Sequence, residues 1–299
     1  MSRLFVTSLL AIITLFSSAS VSAQEKSQYF DSDGVKIHFV EKGEGEPVVL
    51  IHGFAASAQM NWGLPGVINA LASDHHVIAL DNRGHGKSGK PHDVEKYGAN
   101  MPEDVIRLLD HLKIKKAHIV GYSMGGFITT KLITTYPERV ASAVIGAAGW
   151  NEHPEPRFAL LDAIGDSLEA GTGIAPLMIA LTPEGQPKPT KAMLKASNQM
   201  IMTMNDPLAL SAAIRGMRGM AVTRQQLEEN RVPATALVGA IDPLREGVDE
   251  MAGVMSNLEL VLIDGADHMT AIRNPKLVQA IRSHLRKHAM DPVTVGATN

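Results

Sequence analysis

Short apolar runs recur along the chain, and a polar or glycine-bearing turn closes each one. Gln28 to Val40 holds two alternating runs around Ser32-Asp33-Gly34, which predicts a β-hairpin. Pro47 to Ile51, His76 to Leu80, Ala117 to Val120, Val140 to Ile145, Ala234 to Val238 and Leu258 to Ile263 are continuous apolar runs. Runs of that length, rich in branched residues, predict buried strands. Between them lie segments of helical character. Asn61 to Ala72 is expected to be one short helix. Met101 to Lys113 places Val105, Leu108, Leu109 and Leu112 at helical spacing, and Phe127 to Tyr136 continues until Pro137 stops it. Pro275 to His288 reads as a closing amphipathic helix with proline in its first turn. Alternating apolar strands and helices imply parallel strands covered on both faces.

The rhythm breaks between Trp150 and Asn230. Pro154 and Pro156 open the segment, and Thr182 to Thr190 is a proline- and glycine-rich loop. Phe158 to Ala170, Lys191 to Met204 and Leu208 to Met220 read as helices, with no convincing strand among them. The expected architecture is therefore a mostly parallel, doubly wound α/β sheet. A helical cap, residues 150–230, is inserted after the sixth strand, and residues 24–149 and 231–299 form the core. The insertion holds Met178, Met193, Met200, Met202, Met204, Met217 and Met220. Methionine adapts to irregular apolar shapes. An adaptable substrate pocket and ordinary core filling both fit, and core filling is favoured for any single one.

Composition narrows the classes. Hydrophobic content of 45% over 299 residues is ample for a core, and the formal net charge is -3. No long basic run or basic–aromatic stripe points to nucleic acid. Arg3, the apolar run Leu4 to Phe16 and the small residues Val21-Ser22-Ala23 form the pattern of an export signal, residues 1–23, with the mature chain starting at Gln24. The run is well short of the roughly 18–20 residues needed to span a bilayer, so no stable membrane insertion is expected once it is removed. A periplasmic or secreted location follows. There is no cysteine, which excludes disulfides, a thiol nucleophile and thiolate metal sites. Residues after Met290 are expected to form a frayed tail.

The chemistry centres on Gly121-Tyr122-Ser123-Met124-Gly125-Gly126. Gly-x-Ser-x-Gly alone arises by chance in roughly one chain in ten of this length. Here it falls between a strand and a helix, the setting of a nucleophile elbow. A serine hydroxyl is a poor nucleophile and needs a base, and the base needs a group that fixes its tautomer. His268 follows the last strand after Gly265 and is the expected base. Asp242, in the turn after the preceding strand, is the expected orienting carboxylate, ahead of Asp249, Asp264 and Asp267. Gly146 to Gly149 holds no acid that could serve from one strand earlier. The expected oxyanion donors are the backbone N–H groups of Met124, at the helix start, and Phe54, in the loop after Ile51. His52 is read as bonding loop backbone, and Asp81 to Ser88 as a tight structural turn beside the site.

With these motifs in view, the chain resembles the α/β-hydrolase superfamily, in the branch of small serine esterases, lactonases, haloperoxidase-like enzymes and carbon–carbon bond hydrolases. His52-Gly53-Phe54, Asp81 to Ser88, Gly121 to Gly126, Gly239 to Asp242 and Gly265 to His268 carry the resemblance. It covers about residues 28–150 and 231–288, and the insertion matches the family's cap in position and helicity. The resemblance implies hydrolysis of a small-molecule carboxylic ester or lactone through an acyl-enzyme on Ser123, with no cofactor and no metal. A carbon–carbon hydrolase, peptidase or perhydrolase would use the same residues. A binding protein on this fold would be expected to break the Ser123, Asp242, His268 set, and none of the three is broken. Members that open epoxides or remove halide use Asp as nucleophile, which Ser123 argues against. Oligomeric state stays open.

Overall fold

The structure, a computed structural model, describes residues 26–290; the expected export signal, residues 1–23, and the expected tail after Met290 lie outside them. Eight strands form one sheet: β1 (Lys26–Ser32), β2 (Val35–Lys42), β3 (Glu46–Ile51), β4 (His75–Leu80), β5 (Ala117–Tyr122), β6 (Val140–Gly146), β7 (Ala234–Gly239) and β8 (Leu258–Ile263). Their spatial order is β1-β2-β4-β3-β5-β6-β7-β8. β1 pairs antiparallel with β2, and β2 antiparallel with β4. The remaining neighbours are parallel. Ser32 pairs with Val35, so the predicted hairpin turns on two residues. Asp33 and Gly34 both have positive φ, the twist that two-residue hairpins favour.

The helices are α1 (Val67–Leu71), α2 (Asn100–His111), α3 (Met124–Thr135), α4 (Glu155–Glu169), α5 (Ala175–Ala180), α6 (Lys191–Met204), α7 (Pro207–Gly216), α8 (Arg224–Glu228), α9 (Arg245–Val254), α10 (His268–Ala271) and α11 (Pro275–Lys287). Strand side chains alternate between two cores. Val49 and Ile51 of β3 pack with Val105 and Leu108 of α2 and Ile128 and Leu132 of α3. Val48 and Leu50 face the other way, towards Ile68 of α1 and Leu277 and Ile281 of α11. A strand buried on both faces reads as a continuous apolar run, which is why these segments stand out in the sequence. β3 leads to β4 on one side and neighbours β5 on the other. The winding direction therefore reverses between β3 and β5, and ligands in open sheets bind beyond the strand ends at such a reversal.

The sheet matches the expected doubly wound class, and several helix boundaries differ. Asn61 to Ala72 is not one helix. A π-helical turn, Gln59–Gly63, and α1 are separated at Leu64-Pro65-Gly66, where Gly66 is left-handed. α3 starts three residues earlier than expected, at Met124, because Gly125 and Gly126 are helical. α7 ends at Gly216, and a 3₁₀ turn carries the chain to Met220. Between β6 and β7, α4 to α7 share a small core of Leu161, Ile164, Leu168, Ile201, Leu210 and Ile214, which also takes in Ala55. The methionines divide three ways. Met220 is buried, Met178, Met202 and Met217 pack partly against the small core, and Met193, Met200 and Met204 are exposed. For the exposed three, core filling is not the setting.

Candidate active site

Ser123 lies between β5 and α3 at φ 56°, ψ −118°, a region L-residues rarely occupy. Its N–H donates to Gly146 O on β6 (2.8 Å), and its carbonyl accepts from Gly126 N–H (2.8 Å). The flanking glycines are required by contact. A Cβ on Gly121 would lie 2.0 Å from Gly125 O, and one on Gly125 would lie 2.0 Å from Ile51 O. Any side chain there would push the start of α3 away from β3 and β5.

His268 Nε2 is 3.0 Å from Ser123 Oγ, and His268 Nδ1 is 2.9 Å from Asp242 Oδ2. The three sequence-predicted side chains thus form one hydrogen-bonded row, drawn from the ends of β5, β7 and β8. Asp242 Oδ1 accepts from Leu244 N–H (2.8 Å), so both carboxylate oxygens are occupied. The Asp242 side chain is fully buried and that of His268 nearly so. The turns carrying them are stitched together: Ile241 N–H donates to Ala266 O (3.1 Å), and a Cβ on Gly239 would lie 2.2 Å from that same oxygen. His268 opens α10, which Asp267 caps by accepting from Met269 and Thr270 N–H.

Tyr122 was not singled out in the sequence, yet it fixes the imidazole-bearing residue. Its hydroxyl donates to His268 O at 2.6 Å, and its ring centroid is 5.6 Å from the imidazole. Burial raises the Tyr122 pKa well above the ordinary value, so the phenol stays a donor. The available signal was a tyrosine inside a buried strand, whose O–H must find an acceptor.

Of the expected oxyanion donors, Met124 is the first residue of α3, where N–H groups have no intrahelical acceptor. Phe54 lies in the loop after β3, which presses on the serine: a Cβ on Gly53 would be 3.2 Å from Ser123 Cβ. Among the described residues, neither N–H has an acceptor. His52 bonds this loop at both ring nitrogens, with Nδ1 to Gly53 O (2.7 Å) and Nε2 accepting from Asn82 N–H (2.9 Å). Burial lowers its pKa and favours that neutral tautomer. His85 stacks edgewise on both His52 (5.3 Å) and Phe54 (5.6 Å). The turn from Asp81 to Ser88 is anchored by a buried bidentate pair, Arg83 to Asp104 at 2.7 and 2.6 Å.

The same three residue types meet once more. His38 Nδ1 is 2.8 Å from Asp81 Oδ2, and His38 Nε2 is 2.8 Å from Ser27 Oγ. This row lacks the other parts of a reactive site. Ser27 is exposed within edge strand β1 and has no helix start beside it. Asp81 also accepts from Ala58 and Lys87 N–H, which makes it a loop clamp. Burial alone would raise its pKa, but the bond from His38, the neighbouring His52 and those N–H donors outweigh it and hold it below the carboxylate range. A surface cavity of about 370 Å³ lies at Trp150, Glu152, Arg224 and Glu250, and none of Ser123, Asp242 and His268 lines it.

A family model described as "alpha/beta hydrolase fold" matches residues 46–172, which include the β3 loop and the Ser123 turn. Over those residues the chain matches the α/β-hydrolase family, and its sheet has the α/β-hydrolase fold. Among solved structures, this chain is similar to a thermophilic esterase from Thermogutta terrifontis, at 27% identity and a TM-score of 0.70, covering 90% of this chain and 100% of that one. The dihydrolipoyllysine-residue acetyltransferase component of the acetoin cleaving system of Pseudomonas putida is 43% identical over 114 residues, 36% of this chain and 28% of that protein. Bifunctional epoxide hydrolase 2 of Sus scrofa is 34% identical over 125 residues, 41% of this chain and 22% of that protein. The chain thus aligns with about a quarter of the length of these two curated relatives.

Proposed function

We propose that the protein is a serine hydrolase of carboxylic esters, small or medium acyl esters or lactones, with Ser123, His268 and Asp242 as its catalytic residues. The observation that carries this reading is the unbroken row from Ser123 Oγ through His268 to Asp242, with 3.0 and 2.9 Å links. Ser123 Oγ attacks the ester carbonyl carbon, and its proton passes to His268 Nε2. Asp242 accepts from Nδ1–H, holds the reactive tautomer and stabilises the imidazolium. The carbonyl oxygen becomes an oxyanion, met by the N–H groups of Met124 and Phe54. Collapse breaks the bond to the leaving alcohol, which takes the proton from Nε2. Water then repeats the sequence on the acyl-Ser123 and releases the acid.

The esterase relative supports the ester reading, since its likeness spans nearly the whole chain. The epoxide hydrolase relative supports the fold, but Ser123 occupies the position where epoxide-opening members use Asp. Helices α4 to α7 act as a cap over the strand ends in this proposal, and residues 1–23 act as an export signal. A 4-nitrophenyl ester assay with a phosphonate probe tests the reading. Turnover, and probe attached to Ser123 alone, are expected; intact turnover in Ser123→Ala would remove the nucleophile assignment. Export is tested by sequencing the released protein, whose first residue is expected to be Gln24.

A further inference from the structure

Arg157 stands apart from the other arginines between β6 and β7. Arg215 and Arg218 meet Asp162, Asp166 and Glu169, and Arg224 meets Glu152. Arg231 donates to Glu228 O and Asn230 O. Arg157 has no hydrogen bond and no carboxylate among the described residues, although it is half-buried. Its guanidinium lies over two aromatic faces, 5.0 Å from the Phe127 ring centroid and 5.7 Å from that of Phe158. Burial pulls its pKa below the ordinary arginine value, with no acidic neighbour opposing the shift. Its nitrogens are not among the buried unpartnered ones, so its five N–H donors reach solvent without a protein acceptor and are open to an anion.

Both aromatic contacts tie this cation to the proposed site. Phe127 is in the first turn of α3, and its N–H donates to Ser123 O at 3.1 Å. Phe158 packs into the small core that holds Phe54 and Ala55, the loop of the second oxyanion donor. One helical turn of about 5.4 Å, the Phe127 side chain and the ring contact together keep the guanidinium within roughly 15 Å of Ser123. An acyl chain of several atoms spans a distance inside that bound. We propose that Arg157 binds a carboxylate on the acyl side of the substrate, so that the enzyme prefers esters or lactones of dicarboxylic acids. The planar fork suits bidentate pairing with a carboxylate, and a lone unpaired cation balances a single negative charge. This inference rests on the ester-hydrolase reading.

The test compares 4-nitrophenyl esters of matched length, one ending in a carboxylate (hemiglutarate) and one in a methyl group (valerate). In Arg157→Gln the ratio of kcat/KM for the anionic over the neutral ester should fall about 10- to 100-fold, mainly through KM, with Arg157→Lys intermediate. Glutarate should raise the melting temperature of the wild-type protein and not that of Arg157→Gln. An unchanged ratio together with an unchanged glutarate shift overturns the carboxylate site. If wild type cleaves neither ester, the hydrolase reading fails. The glutarate shift, lost in the variant, would then still report the anion site. If Arg157→Gln does not fold, Arg157→Lys carries both measurements, and wild-type behaviour in it for ratio and shift overturns the proposal.

Discussion

Ser123 keeps its unusual backbone because its surroundings leave no alternative. Gly121, Gly125 and the Ile51 carbonyl are packed too tightly for the turn to relax. Such a conformation costs on the order of 1–3 kcal/mol, and the packing of β3, β5 and α3 offsets it. Replacing the side chain leaves that backbone unchanged. Ser123→Ala should therefore lose about 10⁴- to 10⁶-fold in kcat on a nitrophenyl ester, with a melting temperature close to wild type. Asp242 acts one bond further back. Asn at 242 keeps the shape but can turn an N–H towards Nδ1, which selects the wrong tautomer. Asp242→Asn should cost on the order of 10³–10⁴ in kcat with little change in KM. Tyr122 acts further back still, through a carbonyl. Tyr122→Phe removes the 2.6 Å bond to His268 O and should lower kcat by about tenfold, measured beside an unchanged far-ultraviolet circular dichroism spectrum.

At the scale of elements, the sequence carried the parts that depend on local order. A buried strand writes itself as an apolar run, so the ends of β5, β7 and β8 could be located, and with them Ser123, Asp242 and His268. Contacts between distant segments leave no such mark. The bond from Tyr122 to His268 O spans 146 residues, and that from Asn82 to His52 spans 30. Asn61 to Ala72 misled because its apolar spacing continues across Leu64-Pro65-Gly66, where Pro65 and the left-handed Gly66 break the helix. α9 is absent from the expected elements, although Val248 and Met251 are at helical spacing and buried in it. The β7 and β8 turns show how much one element end can decide. A Cβ on Gly239 would meet Ala266 O at 2.2 Å and separate the Asp242 turn from the His268 turn. Gly239→Ala should lower stability by about 1–3 kcal/mol and kcat by tenfold or more. Urea unfolding and the nitrophenyl assay check both, and wild-type activity would show that the two turns are not coupled through this contact.

For the molecule as a whole, the response to acid follows from what the sheet buries. Burial lowers the pKa of His52, His118, His85 and His284, the last two to about 3. For His85 and His284 burial is the largest cause, and nearby positive groups, His52 for one and His288 for the other, act in the same direction. His284 lies at the far end of the strands from Ser123, with Nδ1 2.8 Å from Thr235 Oγ1 and Nε2 without a partner. An unfolded chain takes up these protons near pH 6.5, whereas the folded one resists until about 3. The unfolded state therefore binds more protons in that interval, and stability falls as the pH drops below about 6.5. Each group contributes a slope approaching 1.4 kcal/mol per pH unit. Asp81, whose pKa is depressed, adds a second loss only at lower pH, below the ordinary carboxylate value of about 3.9. Urea midpoints at pH 7, 6, 5 and 4 should thus decline from the first step, well before carboxylates titrate. His284→Asn removes one titrating group far from the site, so its stability at pH 7 will fall while its slope between pH 6 and 4 becomes shallower by about 1.4 kcal/mol per unit. A slope identical to wild type would show that His284 is protonated in the folded protein over that range.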